Sequence, residues 1–470
     1  MVHQARRRFP VTLPLLALAL VALVVILRPL PMPYLDLLRQ GDAHAAGAER
    51  TAAVAAYREA ASLRPGDPVP YLRLARVYLD WGRTGDALAA VAEAERRGAQ
   101  GGEPDRLRVA MYAARADWPA VVEGAQGLLA LDPADVQAGH ALARAYVELR
   151  EWDAARAAYE ALLLADPSDA LAHERLGILT LGEDPAAVQH LFAAQTDLAG
   201  RLLAARSAPG VADDPAYASA LVGRVLFERA EWALAARCFE QALSHSPDFA
   251  DVHAHLGYAL DRMGHLAEAR SHLLRALALA PGSVVAHTFL GLHYESLGDI
   301  SSARAEYEAA YDLDPGNPAT CVEIGQTWVA EGRYVAAELW LQQAISLRPD
   351  DPALWEVLAR FYLDYNIAGE GRGIEAAETL ARLSPGDACA HDLHGWAALQ
   401  VGDYDTAEQS FQQAVALDPT LAVAHYHLGL LHAAQGAQAE ARQAFARAVD
   451  LDKSGELAPL VERAVRDLPR

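Results

Sequence analysis

Histidines recur in short strings along this chain, and imidazole nitrogen is the commonest metal ligand in proteins. The densest string, Ala-His-Tyr-His-Leu-Gly-Leu-Leu-His, holds three histidines within nine residues. This density allows two interpretations, a metal site assembled from several segments or a residue type that recurs with a structural repeat. The strings lie at 424–432, 252–257, 286–294 and 390–395, and the densest one contains His425, His427 and His432.

No recognised catalytic motif accompanies the histidines. The sequence contains no HExxH, no GxSxG, no phosphate-binding loop and no dinucleotide fingerprint. The three cysteines, Cys238, Cys321 and Cys389, are far apart. Their local spacing excludes a zinc knuckle, a c-type haem site and a redox pair. We therefore expect a protein that is not an enzyme and that has no cofactor and no metal centre.

The charge of the chain restricts its partners. The net charge is −22, and the first 33 residues contain four arginines and no acidic residue, which leaves −26 for residues 34–470. A body this acidic repels phosphate backbones and anionic lipid headgroups, so we expect no nucleic acid partner. The acidic surface serves solubility in the simpler interpretation. The alternative is a docking surface for basic partners.

Residues 11–27 predict a membrane anchor. They are almost wholly apolar and uncharged, and with Phe9 and Pro10 they approach the length of a bilayer-spanning helix. No small-x-small cleavage site follows closely, which favours an uncleaved anchor over a signal peptide. Three arginines at 6–8 precede the segment, and Arg28 alone follows it. The positive-inside rule then predicts a single-pass protein of a bacterial-type cytoplasmic membrane, with a cytoplasmic N-terminus and an extracytoplasmic body.

From residue 34 onward the sequence repeats with a period of 34 residues. The segments 252–283 and 286–317 align without gaps. Each unit begins with a large residue, has Leu-Gly three and four positions later, and has a second large residue after three more. This spacing places all four on one helical face. Each unit then has a second segment, with Ala, a large residue four positions later and Ala seven positions later. This segment ends before a proline, so the pattern predicts two helices in each unit.

The pattern resembles the tetratricopeptide repeat, which has Leu-Gly at positions 7 and 8, Ala at 20 and 27, an aromatic at 24 and Pro at 32. The resemblance implies an all-α, right-handed solenoid of about twelve repeats after the N-terminal transmembrane helix. We expect residues 183–206 to form one long helix. The units begin at 34, 68, 102, 136, 170, 216, 250, 284, 318, 352, 388 and 422. The predicted divisions are 1–33 (tail, anchor and proline-rich spacer), 34–206 (N-terminal block), 207–215 (linker), 216–455 (C-terminal block) and 456–470 (capping helix).

The repeat register explains the histidines. Position 4 is a packing position, and neighbouring helices pack about 8–10 Å apart, whereas a zinc–nitrogen bond is about 2 Å. One histidine per repeat therefore does not assemble a ligand sphere, and we favour the structural interpretation. Small residues at positions 8 and 20 should let paired helices approach closely, with large residues at position 24 filling the space. Histidines occupy position 4 at His253, His287, His391 and His425, and the large residues include Phe239, Tyr307, Phe411 and Phe445.

The resemblance also implies a concave groove lined by positions 2, 5, 9, 12 and 13 of the first helices. Its arginines could hold acidic side chains or a peptide carboxylate, or they could pair with acidic residues of adjacent repeats. Its aromatic C-terminal end suits a helix or an extended peptide, with packing against the next repeat as the alternative. The predicted partner-binding groove consists of Arg76, Arg144, Arg224, Tyr258, Arg360, Trp396, Tyr426 and Leu430, and Leu72, Phe227, Asp261, Leu292, Glu295 and Asp392 are further groove-facing residues.

These expectations define a function class. A repeat array without a catalytic motif predicts a membrane-tethered, non-enzymatic scaffold that binds protein or peptide partners in its groove. The alternative is an accessory subunit of an envelope enzyme complex for polysaccharide synthesis or secretion.

Overall fold

The computed structural model describes residues 33–181, 186–207, 214–365 and 369–468. Its regular structure within those ranges is entirely helical, with 26 α-helices and no strand. The all-α repeat fold is thereby confirmed. The chain forms two compact units, one ending at Ala99 and one beginning at Gln100. We number the helices and the repeats in chain order.

The first unit contains two helical hairpins. Tyr57 of the second helix lies against Gly41 of the first, and its hydroxyl donates a 2.7 Å hydrogen bond to Asp42. The helices are α1 (Pro33–Ala46), α2 (Arg50–Leu63), α3 (Val69–Asp80) and α4 (Thr84–Arg96).

The second unit continues the hairpins with two additional single helices, α11 and α26. Among the described residues, the helices of both units make up twelve pairs, as the register predicts. The helices of this unit are α5 (Gly102–Ala114), α6 (Trp118–Leu131), α7 (Val136–Glu148), α8 (Trp152–Ala165), α9 (Ala170–Thr180), α10 (Ala187–Ala194), α11 (Asp197–Arg206), α12 (Pro215–Glu228), α13 (Trp232–His245), α14 (Ala250–Arg262), α15 (Leu266–Leu279), α16 (Val284–Ser296), α17 (Ile300–Leu313), α18 (Pro318–Ala330), α19 (Tyr334–Leu347), α20 (Pro352–Tyr365), α21 (Gly369–Leu383), α22 (Ala388–Val401), α23 (Tyr404–Leu417), α24 (Ala422–Ala434), α25 (Gln438–Leu451) and α26 (Leu457–Asp467).

Close approach of small and large residues holds each pair together. A Cβ atom added to Gly395 on α22 would lie 2.6 Å from Phe411 Cδ1 on α23. Phe411 and the alanine beside it, Ala407, have no exposed surface. The same arrangement recurs at the other predicted small and large positions, so the expected packing is confirmed. The fully buried set includes Ala269, Ala303, Ala337, Ala441, Tyr307 and Phe445.

The position-4 rings fasten the turn between consecutive repeats. Each histidine at position 4 donates a ring N–H to the carbonyl oxygen of the proline six residues earlier, since a carbonyl can only accept. A tryptophan makes the same bond in repeat 10. No cluster of three or more potential metal ligands occurs among the described residues. The bonds are His173–Pro167 (3.1 Å), His253–Pro247 (2.9 Å), His287–Pro281 (3.2 Å), Trp355–Pro349 (2.7 Å), His391–Pro385 (3.0 Å) and His425–Pro419 (3.0 Å).

The expected single long helix over 183–206 is wrong. The structure has two helices, α10 and α11, which are separated by Gln195 in a left-handed conformation with φ 52°. Thr196 then starts α11, because its hydroxyl accepts a 3.1 Å hydrogen bond from the Ala199 amide. The predicted division into two blocks at 207–215 stays a prediction. One continuous core cluster includes Leu202 and Leu226, which lie on opposite sides of that segment.

The sequence predicted a capping helix at the C-terminal end of the chain and a membrane anchor at the N-terminal end. At the C-terminal end, Val461 of α26 packs with Phe445 of α25. At the other end, the predicted anchor at 11–27 lies outside the described residues. No helix among the residues that are described has the length and apolar character needed to cross a bilayer.

Candidate functional site

Repeats 6 and 7 contact repeats 4 and 5 through charged side chains. Arg175 on α9 donates a 2.8 Å hydrogen bond to Glu231, which immediately precedes α13. Arg150, in the turn before α8, bonds to Glu240 on α13 and, at 3.1 Å, to Glu268 on α15. These contacts join residues 56 to 118 positions apart in the sequence. The Arg175 bond holds the turn between α12 and α13 against the first helix of repeat 5, and the Arg150 bonds join the turn of repeat 4 to the second helices of repeats 6 and 7.

A cavity of about 570 Å³ lies where these elements meet. Two tryptophans at repeat position 17, Trp118 and Trp232, contribute to its wall, and Arg144 of α7 also lines it. Its remaining polar lining comes from repeats 4 and 5 and from the turn before α13. The polar residues that line it are His140, Glu148, Tyr159, Arg175, Arg229 and Glu231.

Three of these polar side chains have a polar atom that makes no hydrogen bond with a described residue. Tyr159 is only 4% exposed, and its hydroxyl has no such partner. His140 Nδ1 is buried and unpartnered, while its Nε2 bonds to Asp169 at 2.7 Å. Glu148 has one ion pair, to Arg144 at 4.0 Å, which exceeds hydrogen-bond length. Buried polar atoms are usually satisfied, so the unpartnered nitrogen of His140 beside these two groups is typical of a ligand site.

Burial raises the pKa of two of these groups, Tyr159 and Glu148. Burial raises the pKa of Tyr159 to about 12, so its hydroxyl stays protonated. Burial also raises the pKa of the Glu148 carboxyl, the Arg144 guanidinium lowers it, and the Glu231 carboxylate raises it. The cavity thus contains two carboxylates, and only Glu231 has a hydrogen-bonded cation.

Sequence models of the tetratricopeptide repeat match this chain at five places. One model matches residues 140–196, 222–284, 256–318 and 393–456, and a second matches residues 296–361. Together these segments cover more than half of the chain. The chain belongs to the tetratricopeptide repeat family. A comparison with curated protein sequences finds no match.

Several solved structures are similar to this tetratricopeptide protein. Yeast Tom70 is 14% identical, with a TM-score of 0.43, over 92% of this chain and 95% of that one. The APC/C hetero-tetramer Cut9–Hcn1 is 16% identical, with a TM-score of 0.41, over 92% and 96%. YrrB, described as a TPR protein with an unusual peptide-binding site, is 18% identical, with a TM-score of 0.34, over 43% and 99%.

The four predicted groove arginines of the tetratricopeptide array differ in their surroundings. Arg144 lines the cavity. Arg360 bonds to Glu356 of its own helix at 2.9 Å. Arg224 is exposed and makes no ion pair with a described residue, and Arg76 lies on α3 in the first unit. Where Arg144 and Arg360 have acidic partners, those partners come from the same helix rather than from adjacent repeats.

Tyr258 belongs to an aromatic cluster centred on Phe227. The ring of Tyr258 lies 4.6 Å from Phe289, 5.3 Å from Phe227 and 5.7 Å from Trp232 between centroids. Because Trp232 also lines the cavity, this cluster supports one of the cavity's walls. Tyr258 and Phe227 remain half-buried.

The predicted aromatic groove at the C-terminal end is partly used for packing. Trp396 stacks on His427 of the next repeat with centroids 5.0 Å apart. Tyr426 and Leu430 pack against the cluster that contains Phe445. All three remain half-buried, so their assignment to a groove stays a prediction.

Two of the expected groove-facing acids are buried between repeats instead. Asp392 is 3% exposed and bonds to His427 Nδ1 at 2.9 Å. Asp261 makes the same kind of contact with His293 at 2.5 Å. A histidine in the next repeat therefore takes each carboxylate out of solvent, and the expectation was wrong for both residues.

A second pair of acids lies on the first helices of repeats 8 and 9. Glu295 on α16 accepts a 2.9 Å hydrogen bond from the Tyr307 hydroxyl. Burial, reinforced by the charge of Glu295, raises the pKa of Glu323 on α18 to about 7. Glu323 has no hydrogen bond or ion pair with a described residue.

The register indicated some of the cavity residues and missed others. His140 is at position 5 and Glu148 at position 13, so the rule that selected Arg144 would also have found them. Tyr159 occupies packing position 24. Arg175 and Glu231 join the site only because repeat 6 returns to repeat 5, which no local pattern predicts.

Proposed function

We propose that this chain is a non-enzymatic scaffold that binds protein or peptide partners on the surface of its first helices. The observation that supports the proposal is the cavity between Trp118 and Trp232, which is lined by Tyr159 and by the buried, unpartnered nitrogen of His140. A cavity of about 570 Å³ has room for one or two side chains of a bound peptide.

The lining of the cavity favours binding over catalysis. His140 and Asp169 form a hydrogen-bonded pair that resembles a general base with its orienting acid. No serine, threonine, cysteine or lysine lines the cavity, so this base has none of the usual side-chain nucleophiles beside it. We therefore retain the proposal that the protein is not an enzyme.

The proposed location rests on the sequence alone. The apolar segment 11–27 and the arginines at 6–8 support a single-pass anchor with the repeats outside the cytoplasm. Protease treatment of intact cells tests this. The proposal requires digestion of the repeats in intact cells, and digestion in inverted vesicles alone would refute it.

Site-specific photocrosslinking in cells tests partner binding. A benzoylphenylalanine at Ala141, which lines the cavity, should capture a defined partner. The control position is Leu164 on α8, which is 86% exposed and does not line the cavity. Equal capture at the two positions, or capture at Leu164 alone, would refute binding at the cavity. A captured membrane enzyme whose activity depends on this chain would support the accessory-subunit alternative.

A further inference from the structure

The unpartnered polar atoms of the cavity are mainly hydrogen-bond acceptors. Asp169 can only accept, so His140 Nε2 carries the hydrogen of their 2.7 Å bond, and in the tautomer with that single ring hydrogen Nδ1 is an acceptor. The Glu148 carboxylate is also an acceptor, and the Tyr159 hydroxyl can both accept and donate. A ligand that satisfies all three must therefore bring several donors.

The charges around these atoms favour a cationic donor. Arg175 is bound by Glu231 at 2.8 Å and lies 3.6 Å from Glu174. Arg229 is paired with Asp197. The cavity's arginines are thus largely neutralised, whereas Glu148 has only the exposed Arg144 at 4.0 Å. Arg144 has a side chain that is 67% exposed, which leaves it free to move as a ligand enters.

The aromatic walls fit a flat cation. A guanidinium group stacks on aromatic faces and offers five N–H donors in one plane, whereas an ammonium offers three from a point charge. The protein already pairs such groups, because Arg144 lies over the Trp118 ring at 5.4 Å and Arg262 lies over the Trp232 ring at 5.9 Å. An incoming guanidinium that displaces Arg144 would keep the contact with Trp118 and donate hydrogen bonds to the unpartnered acceptors.

We propose that the cavity binds a basic side chain of a partner's peptide segment, with arginine preferred over lysine. This inference rests on the proposed peptide-binding function and specifies its ligand. The proposed ligand is basic, whereas the groove arginines suggested an acidic ligand. It agrees with the net charge of −26 over residues 34–470 and with the acidic pair Glu295 and Glu323 further along the same unit.

The test uses four nonapeptide libraries with randomised flanks and a fixed central residue, arginine, lysine, glutamine or glutamate. Binding to the full chain is measured by fluorescence anisotropy. The arginine library should bind about tenfold more tightly than the glutamine library, and lysine should be intermediate. Better binding of the glutamate library would overturn the ligand class but leave peptide binding intact. Absence of binding by all four libraries would overturn both.

Two variants locate the effect in the cavity. Glu148→Gln should remove most of the preference for arginine over glutamine. Tyr159→Phe should weaken arginine binding about threefold or more without lowering the melting temperature, because the lost hydroxyl has no partner in the described structure. Glu160→Gln is the matched control, since Glu160 is on α8 but pairs with Arg156 at 2.8 Å outside the cavity. An unchanged arginine preference in Glu148→Gln would refute the proposal.

Discussion

Arg175 on α9 and Glu231 before α13 are 56 residues apart in sequence and joined by a 2.8 Å hydrogen bond. Their side chains are 20% and 33% exposed, so the pair is shielded from most solvent. The bond connects repeat 5 to the turn of repeat 6 and closes one side of the cavity. Because the cavity depends on this contact, the bond links the stability of the array to its proposed binding site.

Removal of this pair should destabilise the second unit. Arg175→Gln leaves Glu231, and the neighbouring buried Glu174, without their cation, and we expect a loss of about 1–3 kcal/mol in the free energy of unfolding. Urea unfolding followed by circular dichroism measures the change. The control is Arg201→Gln, which removes a more exposed 2.7 Å pair with Glu228 and should cost less than about 0.5 kcal/mol. Equal losses in the two variants would contradict the structural role of Arg175.

The sequence predicted the pairs of helices because their packing is local. Gly395 and Phe411 are 16 residues apart, and the period that aligns them is visible in most repeats. The same period placed the histidines at position 4. The period did not reveal the hydrogen bonds of these histidines to the preceding proline carbonyls, because every residue has a backbone carbonyl, whatever its side chain.

Substitution of Gly395 tests the close approach of the helices. Gly395→Ala would place a methyl group 2.6 Å from a Phe411 ring carbon, and overpacking of this kind costs about 1–3 kcal/mol. The matched control is Gly200 on α11, which is also helical but has no atom within 4 Å of an added Cβ. Gly200→Ala should raise stability by about 0.5–1 kcal/mol. Thermal unfolding should therefore shift in opposite directions, and a shift in the same direction would contradict the packing.

In every pair whose turn the structure describes, the residue at position 15 is left-handed. Glycine occupies that position in several repeats, such as Gly264 with φ 81°, but Ala116 adopts φ 54°. Ala116→Gly should therefore stabilise the protein by about 0.5–1 kcal/mol, because an alanine in this conformation is strained. Ala114→Gly, at the helical end of α5, should destabilise it by a similar amount. Differential scanning calorimetry of both variants checks the prediction, and a stabilising Ala114→Gly would count against it.

The sequence could not predict the cavity because its walls come from non-adjacent repeats. The chain returns to repeats 4 and 5 after α10 and α11, and the break between these helices was missed. A signal was present, since Thr196 followed by Asp197 is a typical helix start. The contact between Arg175 and Glu231 depends on the three-dimensional path of the chain after that break, which the 34-residue period does not encode.

Glu323 should make stability depend on pH in a direction unusual for a carboxylate. Burial first, and the charge of Glu295 second, raise its pKa from 4.5 to about 7 in the folded state. The folded protein thus binds this proton more tightly than the unfolded chain. The resulting stabilisation is complete below pH 4.5 and is lost as the pH rises through 7. Glu323→Gln mimics the protonated form, so it should be more stable than the parent at pH 8 by about 1–3 kcal/mol and equal to it at pH 4.

Melting temperatures of the parent and of Glu323→Gln between pH 4 and pH 8.5 measure this effect. Glu308→Gln is the control, because Glu308 lies on α17 with an exposed side chain and should show no such pH-dependent gain. Glu295→Gln should reduce the difference between the parent and Glu323→Gln, because the charge of Glu295 is the second cause of the raised pKa. A constant difference across the pH range would show that the gain comes from packing rather than from the proton on Glu323.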